Sequence, residues 1–289
     1  MTKEKRATNG HWQRFFNNGN INLIQCAEHL EDPRGILENT YTNCTWQNET
    51  IGEAEGVARG TWSELVNLGL RLGLLGFPEK TSNDDDTIKK TALQYIENHD
   101  HSRFVCTFRT IFRGNELLGE GDRNLWYKLQ PYLIGIFTAK GIPMLWQGQE
   151  FGENYSIPEQ GLGRVLMFRP VRWDYFYDAI GKYMIALVRK LITLRRGKPQ
   201  FRRGEHFFYN DHERYKSRDI IIFSRTYENS FSLIALNFGD REQNVPFTFP
   251  VSGDFGEELH GHDNLQDVVA REESWLTVPS NYGRVWTLK

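Results

Sequence analysis

The sequence predicts an α/β region followed by an all-β region, with the boundary between residues 196 and 197. Before Gly197, short apolar runs alternate with longer stretches of helical periodicity, which is typical of the β/α units that build a parallel sheet. After Gly197, apolar residues recur with a period of two, and polar turns separate the runs. We therefore predict an α/β domain at 1–196 and an antiparallel β-sandwich of roughly 90 residues at 197–289.

The first predicted strand is the apolar run 21–27, which follows the turn signal Asn-Gly-Asn at 18–20. Glu28 follows it directly, and Pro33 stops the strand and favours a helix start. A carboxylate that ends a buried strand among apolar neighbours is in the environment that raises a carboxyl pKa. A general acid needs this near neutral pH. The alternative is a Glu that is simply solvated at a strand exit.

The rest of the α/β region continues the alternation of strands and helices. Further strands are predicted at 40–46, 92–97 and 142–146. Helices are predicted at 53–75, 123–140 and 173–195. The polar stretch 82–86 is interpreted as a loop and helix cap, with a calcium loop as the minority alternative because ligand spacing is not evident.

Five strands are predicted in the β region. Each combines aromatic or β-branched residues with period-two alternation, and turns such as 210–213 separate them. The predicted strands are 206–209, 220–225, 231–238, 243–249 and 283–288.

A polar triplet, Asn98-His99-Asp100, follows the predicted strand 92–97. In a barrel of parallel strands, catalytic side chains project from the carboxyl ends of the strands. The triplet places an amide, an imidazole and a carboxylate in one small space at such an end. The alternative is a polar strand-to-loop exit without a function.

A third segment, 140–152, surrounds the predicted strand 142–146. Gly141 and Pro143 allow a sharp turn into the strand, and Met144, Leu145 and Trp146 are expected in the core. Gly148 lets the backbone come close to a site at the end of this strand.

Together these segments resemble the α-amylase family of glycoside hydrolases. Asn98-His99-Asp100 resembles the Asn-His-Asp segment of that family, and Ala27-Glu28 resembles the end of its fifth barrel strand, which carries the general acid. The order Gly-x-Pro, apolar strand, Gly-x-Glu over 141–150 is similar to its last strand and the following loop. The resemblance implies strands five to eight of a (β/α)8 TIM barrel in 1–196, and the family's C-terminal β domain in 197–289.

The resemblance also implies roles for individual residues in a retaining cleavage of α-glucans. Glu28 would be the general acid/base, and Asp100 would hold two hydroxyls of the sugar ring that is cleaved. His99 would donate a hydrogen bond to a neighbouring hydroxyl. Arg103 would orient Asp100 or bind substrate, with a surface role as an equal alternative. The other candidate substrate-binding residues are Asn98, His29 and Trp146.

One part of the family pattern is missing. The family places its nucleophilic Asp in a Gly-x-Arg-x-Asp segment at the fourth strand, and residues 1–27 contain no Asp. Residues 1–20 look like the helix that follows that strand. We therefore expect a fragment of an α-glucan hydrolase or glycosyltransferring enzyme. The alternative is a non-catalytic truncated barrel that binds glucan or complements a partner chain that carries the amino-terminal barrel half.

Composition limits the other function classes. A net charge of −2 argues against nucleic acid as a partner. Three cysteines without metal-ligand spacing imply no disulfide framework or metal site, and they favour a cytoplasmic location. We expect no signal peptide, no membrane span and no cofactor. The aromatic content of 13% permits stacking platforms for sugars, although most aromatic residues must be in the core.

Overall fold

The computed structural model describes residues 24–40, 42–74, 90–112, 119–158 and 160–289, apart from the side chains at 62 and 63. Some predicted features lie wholly or partly outside these residues. They are the helix at 1–20, the beginning of the strand at 21–27, residue 41 of the strand at 40–46, the end of the helix at 53–75 and the polar stretch 82–86.

The first region alternates helices with short strands. In chain order its elements are β1 (Cys26–Ala27), α1 (Pro33–Asn39), β2 (Cys44–Trp46), α2 (Glu49–Ala58), α3 (Trp62–Leu72), β3 (Thr91–Gln94), α4 (Val105–Phe108), β4 (Thr110–Ile111), β5 (Glu120–Gly121), α5 (Gln130–Thr138), β6 (Ile142–Pro143), α6 (Leu162–Leu166), α7 (Asp174–Tyr177) and α8 (Ala179–Gly197). Turns of 3-10 helix lie at Arg123–Leu129 and Gln149–Phe151. None of the described helices is both long and apolar enough to cross a membrane.

The second region is built from strands. Its elements are α9 (Gln200–Arg203), β7 (Glu205–Tyr209), β8 (Ile220–Tyr227), β9 (Ser230–Asn237), β10 (Gln243–Thr248), β11 (Gly253–Glu257), β12 (Leu265–Val268), β13 (Glu273–Val278) and β14 (Tyr282–Leu288). The structure therefore has an α/β region followed by an all-β region, as the sequence predicts.

A four-stranded parallel sheet organises the first region. Its strand order, β1-β2-β3-β6, follows the chain, and every neighbouring pair is parallel. Helical crossovers connect its strands, as parallel pairing requires. Because all four strands run in the same direction, their carboxyl ends meet at one edge of the sheet. Whether they are strands five to eight of a barrel stays a prediction.

Three predicted helices are interrupted in the structure. The helix predicted at 53–75 is two helices, because Gly60 has a left-handed conformation (φ 84°) that ends α2. The one predicted at 173–195 is also divided, since Asp178 caps α8 by accepting a hydrogen bond from the N–H of Gly181 at 2.7 Å. The first half of 123–140 is 3-10 helix.

The second region is a sandwich of two sheets. One has six strands in the order β12-β11-β14-β9-β8-β7, and the other pairs β10 with β13. All of these pairs are antiparallel. Phe247 and Leu276 of the small sheet pack against Phe231, Leu233 and Trp286 of the large one. The five predicted strands are present, and β11, β12 and β13 are additional.

The two regions share one hydrophobic core. The face of the large sheet that points away from the sandwich interior packs on the helices, with Ile221, Phe223 and Leu236 in the same cluster as Leu68 and Leu133. This explains why the segment Ile220–Phe223 is apolar at every position rather than at alternate ones.

Two arginines, one buried and one half-buried, join the regions at the same place. Arg225 of β8 is 1% exposed and donates hydrogen bonds to the carbonyls of Thr138 and Gly204 at 2.7 and 2.8 Å. Arg195 of α8 donates to the carbonyls of Phe137 and Ala139 at 2.8 and 2.9 Å. Both therefore hold carbonyls at the carboxyl end of α5. The boundary between 196 and 197 stays a prediction, because the core is continuous across it.

Candidate active site

The carboxyl ends of the parallel strands bring the predicted catalytic residues together. Glu28 follows β1, and His99 and Asp100 lie beyond the end of β3. Ligand atoms of these three side chains all lie within 4.8 Å of one another. Residues 71 positions apart in sequence thus form one cluster at the edge of the sheet where barrel enzymes place their chemistry.

Glu28 has a more open environment than the sequence predicts. The described strand contains only Cys26 and Ala27, and the Glu28 side chain is exposed. The reason is its place in the sheet, because among the described strands β1 pairs only with β2. The apolar enclosure expected around this carboxylate is therefore not found in the described part of the chain.

Asn98 forms the turn that presents His99 and Asp100. Its side chain is 2% exposed, and its Oδ1 accepts a hydrogen bond from the N–H of Asp100 at 2.9 Å. The hydroxyl of the nearby buried Tyr95 donates to Oδ1 of Asn48 at 3.4 Å, and burial raises the pKa of this phenol. The structure thus gives Oδ1 of Asn98 a role in the turn, and a contact of Asn98 with substrate stays a prediction.

The imidazole of His99 lies between two tryptophans. Its ring centroid is 5.8 Å from that of Trp46, at 83°, and 6.0 Å from that of Trp146. Trp46 ends β2 and Trp146 follows β6, so each of the four strands contributes to the site. Trp46 was missed as a site residue, although its position at the end of a predicted strand was a signal.

Asp100 connects the cluster to Arg164. Its Oδ1 lies 3.4 Å from Nη2 of Arg164 and 3.6 Å from Nε2 of His99. A cleft of about 1060 Å³ begins at Asp100 and continues past His101 and Arg164 to Met167. Arg164 lies on α6, distant in sequence, and no motif pointed to it.

Arg103 is buried beneath the site rather than exposed at it. The residue is 1% exposed, and Nη1 donates to Oε2 of Glu97 at 2.9 Å. Its Nη2 donates to the carbonyl of Gln147, and the guanidinium lies 4.5 Å from the ring centroid of Tyr155. Arg103 thus connects the segment after β3 to the loop after β6. This buried position does not fit the surface role, and no contact of Arg103 with Asp100 is found among the described residues. Substrate binding by Arg103 stays a prediction.

Glu97 is the buried partner that the sequence reading missed. It is 2% exposed, and its Oε1 accepts a hydrogen bond from the N–H of Phe104 at 2.8 Å. Burial raises the pKa of Glu97, while the charge of Arg103 and these hydrogen bonds act in the opposite direction. The signal was present in the sequence, because a carboxylate immediately before Asn98 needs a partner once the strand is buried.

The loop after β6 closes the other side of the site. Trp146 donates a hydrogen bond from Nε1 to the hydroxyl of Tyr155 at 3.0 Å. Gly148 is left-handed (φ 86°), and a Cβ there would lie 3.3 Å from Nη2 of Arg103. The close backbone approach expected of Gly148 is therefore present. His29 is exposed beside Glu28 and is not part of the three-residue cluster.

The same cluster is the candidate metal site among the described residues. Glu28, His99 and Asp100 offer two carboxylates and an imidazole within reach of one ion. Two of the three are exposed, and exposed acidic groups commonly lie together without a metal. We assign no ion to the site.

Comparison with known proteins gives partial matches. No family model matches the chain. A cyclomaltodextrin glucanotransferase from Bacillus sp. (strain 1011) is 26% identical over 152 residues, which are 53% of this chain and 17% of that protein. An α-amylase, MalA, from Haloarcula japonica is 25% identical over 176 residues, 59% of this chain and 20% of that protein.

A solved α-amylase has a similar fold. The enzyme from Geobacillus thermoleovorans, complexed with acarbose, has a TM-score of 0.63 and 18% sequence identity. The match covers 96% of this chain and 56% of that one. The chain therefore spans about half the length of this structure and about a fifth of the curated relatives. The resemblance predicted from the three motifs is confirmed over this shared part.

Proposed function

We propose, because the chain is related to the α-amylase family of glycoside hydrolases, that it acts on α-glucans as a retaining hydrolase or glycosyltransferring enzyme. The observation that carries the proposal is the cluster of Glu28, His99 and Asp100, with ligand atoms within 4.8 Å of one another at the carboxyl ends of β1 and β3. The family motifs predict these three residues, and they are adjacent although two different strands supply them. The ligand would be an α-glucan or a maltooligosaccharide.

In this mechanism, Glu28 protonates the oxygen of the leaving sugar and later removes a proton from the attacking water. Asp100 and His99 hold hydroxyls of the sugar ring, and the Asn98 turn fixes their position. Trp46 and Trp146 flank His99 and offer apolar faces to the sugar. No cofactor takes part.

The nucleophile is not assigned to this chain. A retaining enzyme needs a second carboxylate about 5 Å from the general acid. Asp32 caps α1 by accepting a hydrogen bond from the N–H of Gly35 at 2.8 Å, and Asp122 is 7% exposed and accepts from Asn124. Both carboxylates already have structural partners, so neither replaces the missing motif.

We infer that β1, β2, β3 and β6 correspond to barrel strands five to eight. Their parallel pairing in chain order supports this correspondence, and so does the position of the three motifs after β1, β3 and β6. The missing nucleophile segment would then precede β1 in a complete barrel. The chain is accordingly interpreted as a fragment or as one piece of a split enzyme.

The alternative is a non-catalytic half-barrel that binds glucan or complements a partner chain. The sheet edge at β1 supports it, since β1 pairs on one side only among the described strands, and free strand edges favour association. Free thiols at Cys26, Cys44 and Cys106 support a reducing compartment such as the cytoplasm for either function.

One experiment separates these possibilities. The pure chain is incubated with maltoheptaose, and both product formation and binding are measured for the wild type and for Glu28→Gln. Turnover that Glu28→Gln abolishes supports the enzyme and contradicts the half-barrel. Binding without turnover supports the half-barrel, with the nucleophile on another polypeptide. Absence of both binding and turnover contradicts the proposal.

A further inference from the structure

Two cysteines lie side by side at the edge of the parallel sheet, although they are far apart in sequence. Cys26 of β1 is directly opposite Cys44 of β2 in the parallel register. Cys44 is fully buried, whereas Cys26 is exposed. Their side chains are neighbours, because opposed residues of a parallel pair project to the same face of the sheet.

The surroundings make the two thiols unequal. Interaction with Cys44 lowers the pKa of Cys26, and so does interaction with Trp46, while burial and the charge on Glu28 act in the opposite direction. The same thiol pair and its burial raise the pKa of Cys44. The sulfur of Cys26 is therefore on an accessible side chain, whereas that of Cys44 is enclosed. This is the asymmetry of an attacking and a resolving cysteine.

We propose that Cys26 and Cys44 form a peroxide-sensitive dithiol that closes to an intrachain disulfide. The Cys26 thiolate attacks one oxygen of a peroxide, the O–O bond breaks, and Cys26 becomes a sulfenic acid while the other oxygen leaves as hydroxide or alkoxide. The sulfur of Cys44 then displaces the sulfenic hydroxyl, which leaves as water with the Cys44 proton. The two thiols lose two electrons, and the peroxide accepts them.

The sheet geometry allows this bond without a large backbone movement. Neighbouring strands lie about 4.8 Å apart. Disulfides join Cα atoms that are about 4.4–6.8 Å apart, so directly opposed residues fall within this range. Side chains of opposed residues in a parallel pair also project to the same face of the sheet. Closure therefore requires mainly side-chain rotation.

The pair is placed where its oxidation would reach the candidate active site. Glu28 follows Cys26 by two positions, and the disulfide would tie β1 to β2 immediately before it. Altered glucan binding after oxidation is a consequence that rests on the proposed function. The chemistry of the two thiols does not rest on it and is measured independently.

Cys106 provides an internal control. Burial raises its pKa to about 12, and its sulfur contacts the backbone carbonyls of Asn154 and Tyr155 at 3.5 and 3.6 Å. Since the thiolate is the reactive form, iodoacetamide at pH 7 should alkylate Cys26 at least about tenfold faster than Cys106. Equal alkylation rates would contradict the proposed asymmetry.

The deciding test treats the reduced, purified chain with a small excess of hydrogen peroxide. Peptides from the non-reduced protein are then identified by mass spectrometry. We expect two thiols to be lost, a Cys26–Cys44 linkage that dithiothreitol reverses, and a free Cys106. Linkage through Cys106, linkage only between chains, or three unreacted thiols would overturn the proposal.

Two variants define the order of the steps. Cys44→Ala should stop the reaction at the sulfenic acid of Cys26, which dimedone traps, while Cys106→Ala should form the linkage as the wild type does. Dimedone labelling of Cys44 in the Cys26→Ala variant, at the rate seen for Cys26, would contradict the assigned roles.

Discussion

Replacing Arg103 by Met should destabilise the chain by about 3–5 kcal/mol, because it leaves a buried carboxylate without its counter-ion. Arg103 and Glu97 are 1% and 2% exposed, and their ion pair is 2.9 Å long. The substitution also removes the hydrogen bond to the carbonyl of Gln147. The carboxylate of Glu97 then keeps the hydrogen bond from the N–H of Phe104 but loses its ion pair. Total stabilities of single domains are about 5–15 kcal/mol, so this loss is a large part of the whole.

The assay is urea unfolding followed by tryptophan fluorescence. The matched control is Arg109→Met, because Arg109 is paired with Asp122 at 3.5 Å but its side chain is 68% exposed. Exposed pairs contribute about 0–1 kcal/mol, so this control should remain close to the wild type. Arg103→Lys should be intermediate, since a lysine keeps the charge but lacks the planar fork that bonds two partners.

A double variant tests the cause. Glu97→Gln combined with Arg103→Met removes the buried charge, so it should be less destabilised than the sum of the two single variants. The reasoning is refuted if Arg103→Met costs no more than Arg109→Met, or if the two single effects add without coupling.

Three further outcomes are expected. Burial lowers the pKa of His206 to about 3, so stability present above the ordinary histidine pKa of 6.5 should be lost in acid, by up to about 1.4 kcal/mol per pH unit. In the His206→Gln variant, the free energy of unfolding should change less between pH 7 and pH 5 than in the wild type. An unchanged pH dependence would exclude His206 as the cause. Gly148→Ala should lower the unfolding temperature more than Gly60→Ala. Both positions have a positive φ, but only at Gly148 would the new Cβ lie close to another atom, Cβ of Glu153 at 3.1 Å. Equal decreases in the two variants would show that this contact has no effect on stability. Asp178→Ala removes the N-cap of α8 and should cost about 1 kcal/mol near neutral pH. Although burial opposes it, hydrogen bonding lowers the pKa of Asp178, so its contribution should disappear as pH falls through that lowered value, and a constant difference from the wild type down to pH 2 would contradict this.

Local sequence patterns predicted the elements that have their own apolar signal. The strands around 220–227 and 230–237 alternate or run apolar, and both are present. β11 and β12 were missed because glycine or acidic residues interrupt their apolar residues, and pairing between strands supplies the missing stabilisation. β13 was also missed, although its residues alternate between buried and more exposed positions.

The candidate site likewise contains residues that a local motif identifies and contacts that only the fold creates. Glu28, His99 and Asp100 were found because each belongs to a short motif at the end of a strand. Contacts between distant segments carry no such motif, as with the ion pair of Asp100 with Arg164. The pairing of Cys26 with Cys44 was equally hidden, because strand register alone places them together.

The central claim is that the Glu28, His99 and Asp100 cluster binds the sugar, and titration of the pure chain with maltoheptaose tests it most directly. Binding is followed by calorimetry for the wild type, Asp100→Asn and the control Asp267→Asn, an exposed position in the β region. Loss of a charged hydrogen-bond acceptor costs about 1.5–3 kcal/mol, so Asp100→Asn should weaken binding at least about tenfold while Asp267→Asn leaves it unchanged. Equal affinity in all three chains would contradict the account, because the ligand would then bind elsewhere.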